Sequence, residues 1–273
     1  HLAHAELATL KGQVGRLDRE GDIAAMSAWL PQADAPEDLL ISVVLPTRDR
    51  RRLLAAAIES VQAQSYNAWE LLVVDDGSTD GTRGYLAGID DPRVVVLESR
   101  GVGPCGARNV ALDVASGDVI AYLDDDNRFD PHWLKAVAIA FAGHPDATVC
   151  YGARVLQDEG AVLRGTPSRR PGFHFVGWDE QAIRDYNIAD TNVLAHRRSD
   201  VRFDEELAYF GDWDLLLRLA AESAPVEVPA IATYYRTDAD GRMSDALEAE
   251  EIDREYNLVR EKLANGDLDT KPY

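Results

Sequence analysis

Four short polar runs hold the residues best suited to chemistry. Asp124-Asp125-Asp126-Asn127 follows an apolar stretch, Val119-Ile120-Ala121-Tyr122-Leu123. Three adjacent carboxylates repel one another, and an oxygen-preferring divalent cation relieves that repulsion. Mg2+ and Mn2+ typically use one or two carboxylates together with substrate phosphate oxygens. An acidic loop in solvent is the plainer alternative, but the place at a strand end favours a site. Asp75-Asp76-Gly77-Ser78-Thr79-Asp80-Gly81-Thr82 suits a turn with helix caps, since Asp, Ser and Thr cap well and Gly turns the chain. That account leaves over Asp75, directly after Val73-Val74, where a carboxylate can accept an N–H from a planar base. Gly101-Val102-Gly103-Pro104-Cys105-Gly106-Ala107-Arg108-Asn109 is a glycine-rich loop of a kind that lets backbone approach a diphosphate, with Arg108 adding charge-assisted bonds. It lacks the dinucleotide and P-loop spacings. Phe210-Gly211-Asp212-Trp213-Asp214 places two acids at the start of an amphipathic helix, where dipole complementarity and a general base are equally good accounts. No Gly-x-Ser-x-Gly elbow and no metal-type His spacing occurs.

The elements that must position these runs alternate. Residues 40–45, 70–74, 93–97 and 119–123 read as strands, and 49–64, 82–89, 107–115 and 131–142 as helices. Such alternation indicates a mostly parallel sheet with helices on both faces, with ligands at the carboxyl ends of its strands. Beyond residue 147 the pattern changes to shorter strands and loops, irregular around Pro167, Pro171 and Gly172, with helices at 212–222 and 247–263. Residues 2–30 carry Leu7, Leu10, Val14 and Leu17 on one helical face, which favours packing on the main domain over a coiled coil, and 31–36 is a turn-rich linker.

Of the 273 residues, 28 are Lys or Arg and 48 Asp or Glu, a net charge of −20 that argues against nucleic-acid binding and against an electrostatic anchor on anionic lipid. Hydrophobic content of 46% fits a folded globule rather than disorder. No apolar run approaches the roughly 20 residues needed to span a bilayer. Cys105 and Cys150 cannot make a disulfide scaffold or a four-ligand zinc site, so reduced structural thiols are expected. No basic n-region and apolar h-region open the sequence, and a cytoplasmic protein is the simplest expectation.

The segments Ile41-Ser42-Val43-Val44-Leu45-Pro46-Thr47-Arg48-Asp49-Arg50, Val73 to Thr82, Gly106-Ala107-Arg108-Asn109 and Tyr122-Leu123-Asp124-Asp125-Asp126, in this order, strongly resemble family 2 glycosyltransferases of the GT-A fold, over about residues 40 to 236. The resemblance implies a Rossmann-like, mostly parallel α/β sheet with a mixed acceptor-side region. It divides the chain into an N-terminal helix and linker (1–36), a glycosyltransferase domain (37–240, with a nucleotide-sugar half at 37–146 and an acceptor half at 147–240) and a helical tail (241–273). It implies metal-dependent, inverting transfer from a nucleoside diphosphate sugar, commonly UDP-linked, with dTDP and GDP needing few changes. Pro46, Thr47, Arg48, Asp75, Gly77, Arg108, Asp124 and Asp125 would bind that donor, and Asp126 the Mn2+ or Mg2+. Asp238, in Tyr235-Arg236-Thr237-Asp238, would be a further metal ligand.

Asp212 fits the family's catalytic base, which usually follows a Glu; here Gly211 stands in that place. Trp178, Tyr186, Asp190, Asn192 and Trp213 are candidate acceptor contacts. The acceptor is open among a glycan, a lipid-linked sugar, a peptide and a small molecule. A lipid-linked one would be met at the inner face of the membrane, and a homodimer is also open. The rival reading is a non-catalytic nucleotide-sugar or glycan-binding module, for which Gly211 is the best support. A nucleotidyltransferase ranks lower, because it wants a glycine-rich basic loop after the first strand.

Overall fold

The computed structural model describes residues 19–157, 172–221, 223–236, 248–266 and 268. The apolar run from Ile41 forms the centre of the sheet. Ile41–Thr47 (β1) lies between Trp69–Asp75 (β2) and Val119–Tyr122 (β4), and Val94–Glu98 (β3) extends the β2 side, all in parallel pairing. Nearly every residue of β1, β2 and β4 is buried, which is why they read as unbroken apolar runs rather than alternating ones. Beyond β4 the sheet turns mixed. Leu194–Arg197 (β8) runs antiparallel to both β4 and Val149–Gln157 (β6). β6 pairs parallel with Val226–Arg236 (β9), while Arg128–Phe129 (β5) and Phe173–His174 (β7) add short antiparallel pairs. Among the described residues the order is β3-β2-β1-β4-β8-β6-β9-β5, the mostly parallel architecture with a mixed second half that the sequence implies.

Six helices are used below: Arg51–Gln62 (α1), Thr82–Leu86 (α2), Gly103–Leu112 (α3), Trp133–Gly143 (α4), Gly211–Leu219 (α5) and Ala249–Asn265 (α6). α1 buries Leu54, Ala57, Ile58 and Val61, one face at helical spacing. α3 begins four residues earlier than its apolar pattern suggests. Gly103 takes a left-handed φ of +80°, Pro104 fills the first turn, and the leading amides are capped from another element, as described below. Of the expected N-terminal helix, residues 19–29 are helical and dock on the domain through buried Ile23 and an Arg19–Glu227 ion pair of 2.8 Å; residues 1–18 lie outside the described residues, as do Pro167 and Pro171. Cys105 and Cys150 are buried free thiols.

Candidate active site

A cleft of about 630 Å³ opens across the carboxyl ends of β1 and β4. Two parallel neighbours part company there, the place where open α/β sheets bind ligands. Pro46 marks the parting. Ile41 sends its N–H toward β2, to Ala68, and Val44 accepts on the other side from Leu123. Alternation along the strand therefore turns position 46 toward β4, which has already ended, so a residue without an N–H breaks no ladder bond.

The strand-end carboxylates meet arginines in this cleft. Thr47 Oγ1 donates to Asp125 Oδ2 at 2.6 Å, tying β1 to the acidic run. Arg50 Nη1 lies 2.7 Å from Asp126 Oδ2 and 3.5 Å from Asp125 Oδ1. Arg108 Nη2 lies 2.6 Å from Asp124 Oδ1, and Asn192 donates to Asp124 Oδ2 at 2.8 Å while accepting the Asp124 N–H at 2.7 Å. Burial pushes the Asp125 carboxyl up to about 7, against the pull of Thr47 and Arg50. Arg108 is itself buried and leaves its Nε without a hydrogen-bond partner.

The carboxylate that lines the cleft after β2 is Asp76, not Asp75. Asp76 Oδ1 accepts from Ser99 Oγ (2.6 Å), Gly101 N (2.8 Å) and Val102 N (2.9 Å), and Oδ2 from Gly103 N (3.0 Å). Burial alone would raise its pKa, yet these four donors hold it below the ordinary value. The glycine-rich loop thus gives its leading amides to Asp76, which caps α3 from just past the end of β2 instead of leaving them to a phosphate. Asp75 sits buried at the strand end. Its Oδ1 accepts the Ser78 N–H at 2.9 Å, and its Oδ2 has no hydrogen-bond partner, with Arg83 Nε 4.0 Å away. Gly77 turns the chain at φ +82° and does not line the cleft. Asp49, Ser78 and Thr79 stitch the loops after β1 and β2 together: Asp49 Oδ1 accepts from Thr79 N at 2.6 Å, and Ser78 Oγ from Asp49 N at 2.9 Å. Arg48 lines the mouth.

Asp212, in the first turn of α5, faces the same cleft and accepts the Trp213 N–H at 2.7 Å. Burial and then the neighbouring Asp190 charge push its carboxyl up to about 7, with Asp124 adding to the rise and Arg108 opposing it. Gly211 explains the missing acid before it: an added Cβ would stand 2.4 Å from Cys105 Sγ, which itself donates to Leu207 O. The thiol occupies the room a side chain at 211 would need.

Asp190 pairs with Arg154, whose guanidinium lies 5.3 Å from the Tyr235 ring, and it caps the short turn at Thr191–Val193 through Asn192 N at 2.9 Å. Trp213 does not reach the cleft: it is fully buried, with its indole N–H on Ile183 O at 2.7 Å. Trp178 faces a separate hollow beside Ile183 and Leu217, and Tyr186 is exposed outside the cleft lining. Asp238 lies outside the described residues. Arg50, Asp76, Arg154 and Tyr235 were not singled out for these positions by sequence reasoning. Arg50 reads as one of three arginines opening a helix, Asp76 as a turn residue, and Arg154 sits in a strand with no local signal.

Among the described residues no group of three or more His, Cys, Asp and Glu is arranged to hold a metal ion by itself. The donor set nevertheless suits one of the hard cations. Asp124 and Asp126 present carboxylate oxygens to the cleft, and Mg2+ or Mn2+ needs only one or two of these beside substrate phosphates.

Sheet, switch-point cleft and facing acidic helix define the GT-A class of glycosyltransferase. A crystal structure of S. aureus TarS (residues 1–349) in complex with UDP-GlcNAc has this fold, with a TM-score of 0.68 at 21% identity over 85% of this chain and 68% of that one. The model of "Glycosyl transferase family 2" matches residues 42–202, and the chain belongs to that family and is a glycosyltransferase. One relative, "Putative colanic acid biosynthesis glycosyl transferase WcaA" of Escherichia coli (strain K12), is 31% identical over 191 residues, 67% of each chain. Another, "UDP-Glc:alpha-D-GlcNAc-diphosphoundecaprenol beta-1,3-glucosyltransferase WfgD" of Escherichia coli, is 42% identical over 92 residues, 33% of this chain and 36% of the relative. This second match spans little more than a third of the relative's length. No helix among the described residues is long and apolar enough to cross a membrane.

Proposed function

We propose that this glycosyltransferase moves a sugar from a UDP-sugar to a hydroxyl of a glycan acceptor in polysaccharide assembly, by a single displacement with inversion and with Asp212 as base. The observation that carries the reading is a single cleft that sets the Asp212 carboxylate, held near neutrality by burial and by Asp190, across from the strand-end carboxylates. The acceptor oxygen attacks the anomeric carbon, its proton passes to an Asp212 oxygen, and the bond to the diphosphate breaks on the opposite face. A base placed this way contributes about 100- to 10,000-fold.

Pro46, Thr47, Arg48, Asp124 and Asp125 form the donor side. Asp75, just behind the cleft lining, keeps a buried Oδ2 that accepts no hydrogen bond and has only the Arg83 guanidinium 4.0 Å away, and the imide N–H of a pyrimidine base would satisfy it. Asp126, with Asp124 beside it, would hold Mn2+ or Mg2+, which when bound neutralises charge on the leaving diphosphate. Asp190, Arg154 and Tyr235 form the acceptor side, and names of relatives point to a lipid-linked diphosphate sugar as the acceptor.

Calorimetry with UDP, dTDP and GDP, each with and without Mn2+, tests the donor side. Tight binding of UDP that depends on Mn2+ is the expected result, and a folded protein that binds none of the three overturns the reading. Product formation from UDP-glucose and UDP-N-acetylglucosamine on a synthetic GlcNAc-diphosphate-alkyl acceptor tests the rest. The anomeric configuration of the product, read by NMR, decides inversion.

A further inference from the structure

α6 lies outside residues 42–202, the stretch matched by the family model, yet it reaches the start of the helix that bears Asp212. Its Glu255 is 2% exposed, and a carboxylate is costly to bury unless donors surround it. Three backbone donors do so: Oε1 accepts from Ala208 N at 3.0 Å, and Oε2 from Tyr209 N at 2.8 Å and Phe210 N at 3.1 Å. These residues run directly into α5, whose N-cap, Phe210, supplies no side-chain cap of its own. All three also line the cleft, two to four residues before Asp212. Glu255 therefore does for the entrance to α5 what a capping side chain does locally, from 45 residues downstream.

The same helix grips α5 again. Lys262, two turns beyond Glu255 on the same face, pairs with Asp204 and with the buried Asp214 at 3.0 Å. The Tyr256 ring stacks on Trp213 at 5.5 Å and its hydroxyl donates to Asp185 O at 2.9 Å. Cys105 packs against Gly211, so the first turn of α5 touches α3 as well as α6.

We infer that Glu255 is a positioning residue for catalysis: its carboxylate gathers the amides of residues 208–210 and so fixes where the first turn of α5 presents Asp212. The inference rests on the reading of Asp212 as the base. Misplacing a reacting group by about 1 Å can cost up to about 100-fold in rate, which is the scale on which such a carboxylate acts.

The test uses Glu255→Gln, which keeps the shape but turns one acceptor oxygen into a donor facing an N–H. UDP release from whichever UDP-sugar the protein turns over, UDP binding by calorimetry, and amide hydrogen exchange at residues 208–210 are measured together. The expected result is a kcat at least about tenfold lower, with the Kd for UDP within twofold of the parent and with protection lost at those amides. Arg260→Ala, which removes an exposed ion pair to Asp185 on the same helix, is expected to leave kcat unchanged. An unchanged kcat in Glu255→Gln overturns the inference, as does a loss of UDP binding in step with kcat, or an equal loss in Arg260→Ala. Unprotected amides at 208–210 in the parent protein overturn it without any variant. Should Glu255→Gln not fold, Glu255→Asp, which keeps the charge one methylene short, is measured in its place. Asp212→Asn, run beside it, separates the two claims: full turnover there defeats the base assignment itself.

Discussion

The two sides of the cleft are built on different plans. On the proposed donor side, Pro46, Thr47, Asp75, Asp76 and Asp124 to Asp126 stand within a few residues of three strand ends, and parallel pairing of β1, β2 and β4 brings those ends together. On the facing side, Arg154, Asp190, Asp212 and Tyr235 come from β6, a short turn, α5 and β9, and Glu255 comes from α6. The first side is laid out by the sheet, and Arg50, Arg108 and Asn192 then pair its carboxylates. The second needs several elements docked in the right places, and its buried charges are balanced by residues far away in the chain. A site half of this second kind responds to substitutions well outside it.

The largest effect expected from this contrast is on the facing side. Asp212→Asn removes the proposed base, and turnover of the UDP-sugar should fall by about 100- to 10,000-fold while UDP affinity stays within twofold; steady-state kinetics with calorimetry checks this. The mirror experiment is on the donor side. Asp75→Asn replaces a buried charged acceptor, and UDP affinity should weaken by about tenfold or more with kcat at saturating donor changing far less. If both variants lose kcat and affinity together, the two sides are not separable units.

Proton uptake also distinguishes the two sides. With the Asp212 carboxyl near 7, the proposed base works only when ionised, so kcat/KM should rise with pH through about 7 and be lost below it. Burial is the main cause of that position and the Asp190 charge the second. Asp190→Asn removes a negative neighbour, favours the ionised form of Asp212 and should move the acidic limb to lower pH. The rate at pH 6 relative to pH 8 should rise a few-fold; a limb that does not move assigns it to another group.

The smallest effect concerns packing between α3 and α5. Gly211→Ala drives a methyl to 2.4 Å from Cys105 Sγ and should cost about 1–3 kcal/mol in denaturant unfolding. In the double variant with Cys105→Ala most of that cost should vanish, because both changes act on the same space. Additive losses would show that Gly211 is required for another reason.

Much of the proposed donor side is legible in the sequence. Strands buried on both faces must be apolar throughout, so β1, β2 and β4 stand out, and polar residues placed directly after them have no role inside the sheet. Assigning Asp75 and Asp76 their separate places was beyond the sequence. Both follow the same strand, and only the path of residues 99–103 shows which one captures the amides of α3. Two-residue strands such as β5 and β7 left no pattern at all. Among the acceptor candidates, Asp190 and Asn192 reach the cleft, whereas Trp213 packs into the core and Trp178 faces elsewhere. An aromatic next to an acid looks the same in sequence whether the helix turns it toward ligand or toward core. Glu255 was hidden by its setting: in a helix with charges along most of its length, one buried carboxylate looks like any exposed one.

Family, parallel sheet and the line of carboxylates at its strand ends are all written in local patterns of the amino-acid sequence. Apolar periodicity and contiguous motifs are local, and parallel topology then leaves little choice about where the ends meet. Tertiary structure alone decided which charges face each other. Arg50 meets Asp126, Arg108 and Asn192 hold Asp124, Arg154 answers Asp190, and Glu255 answers three amides. Those pairings link residues up to 76 positions apart, as in Arg50 with Asp126. The energy of a buried charge depends on what surrounds it in space, which no spacing along the chain records.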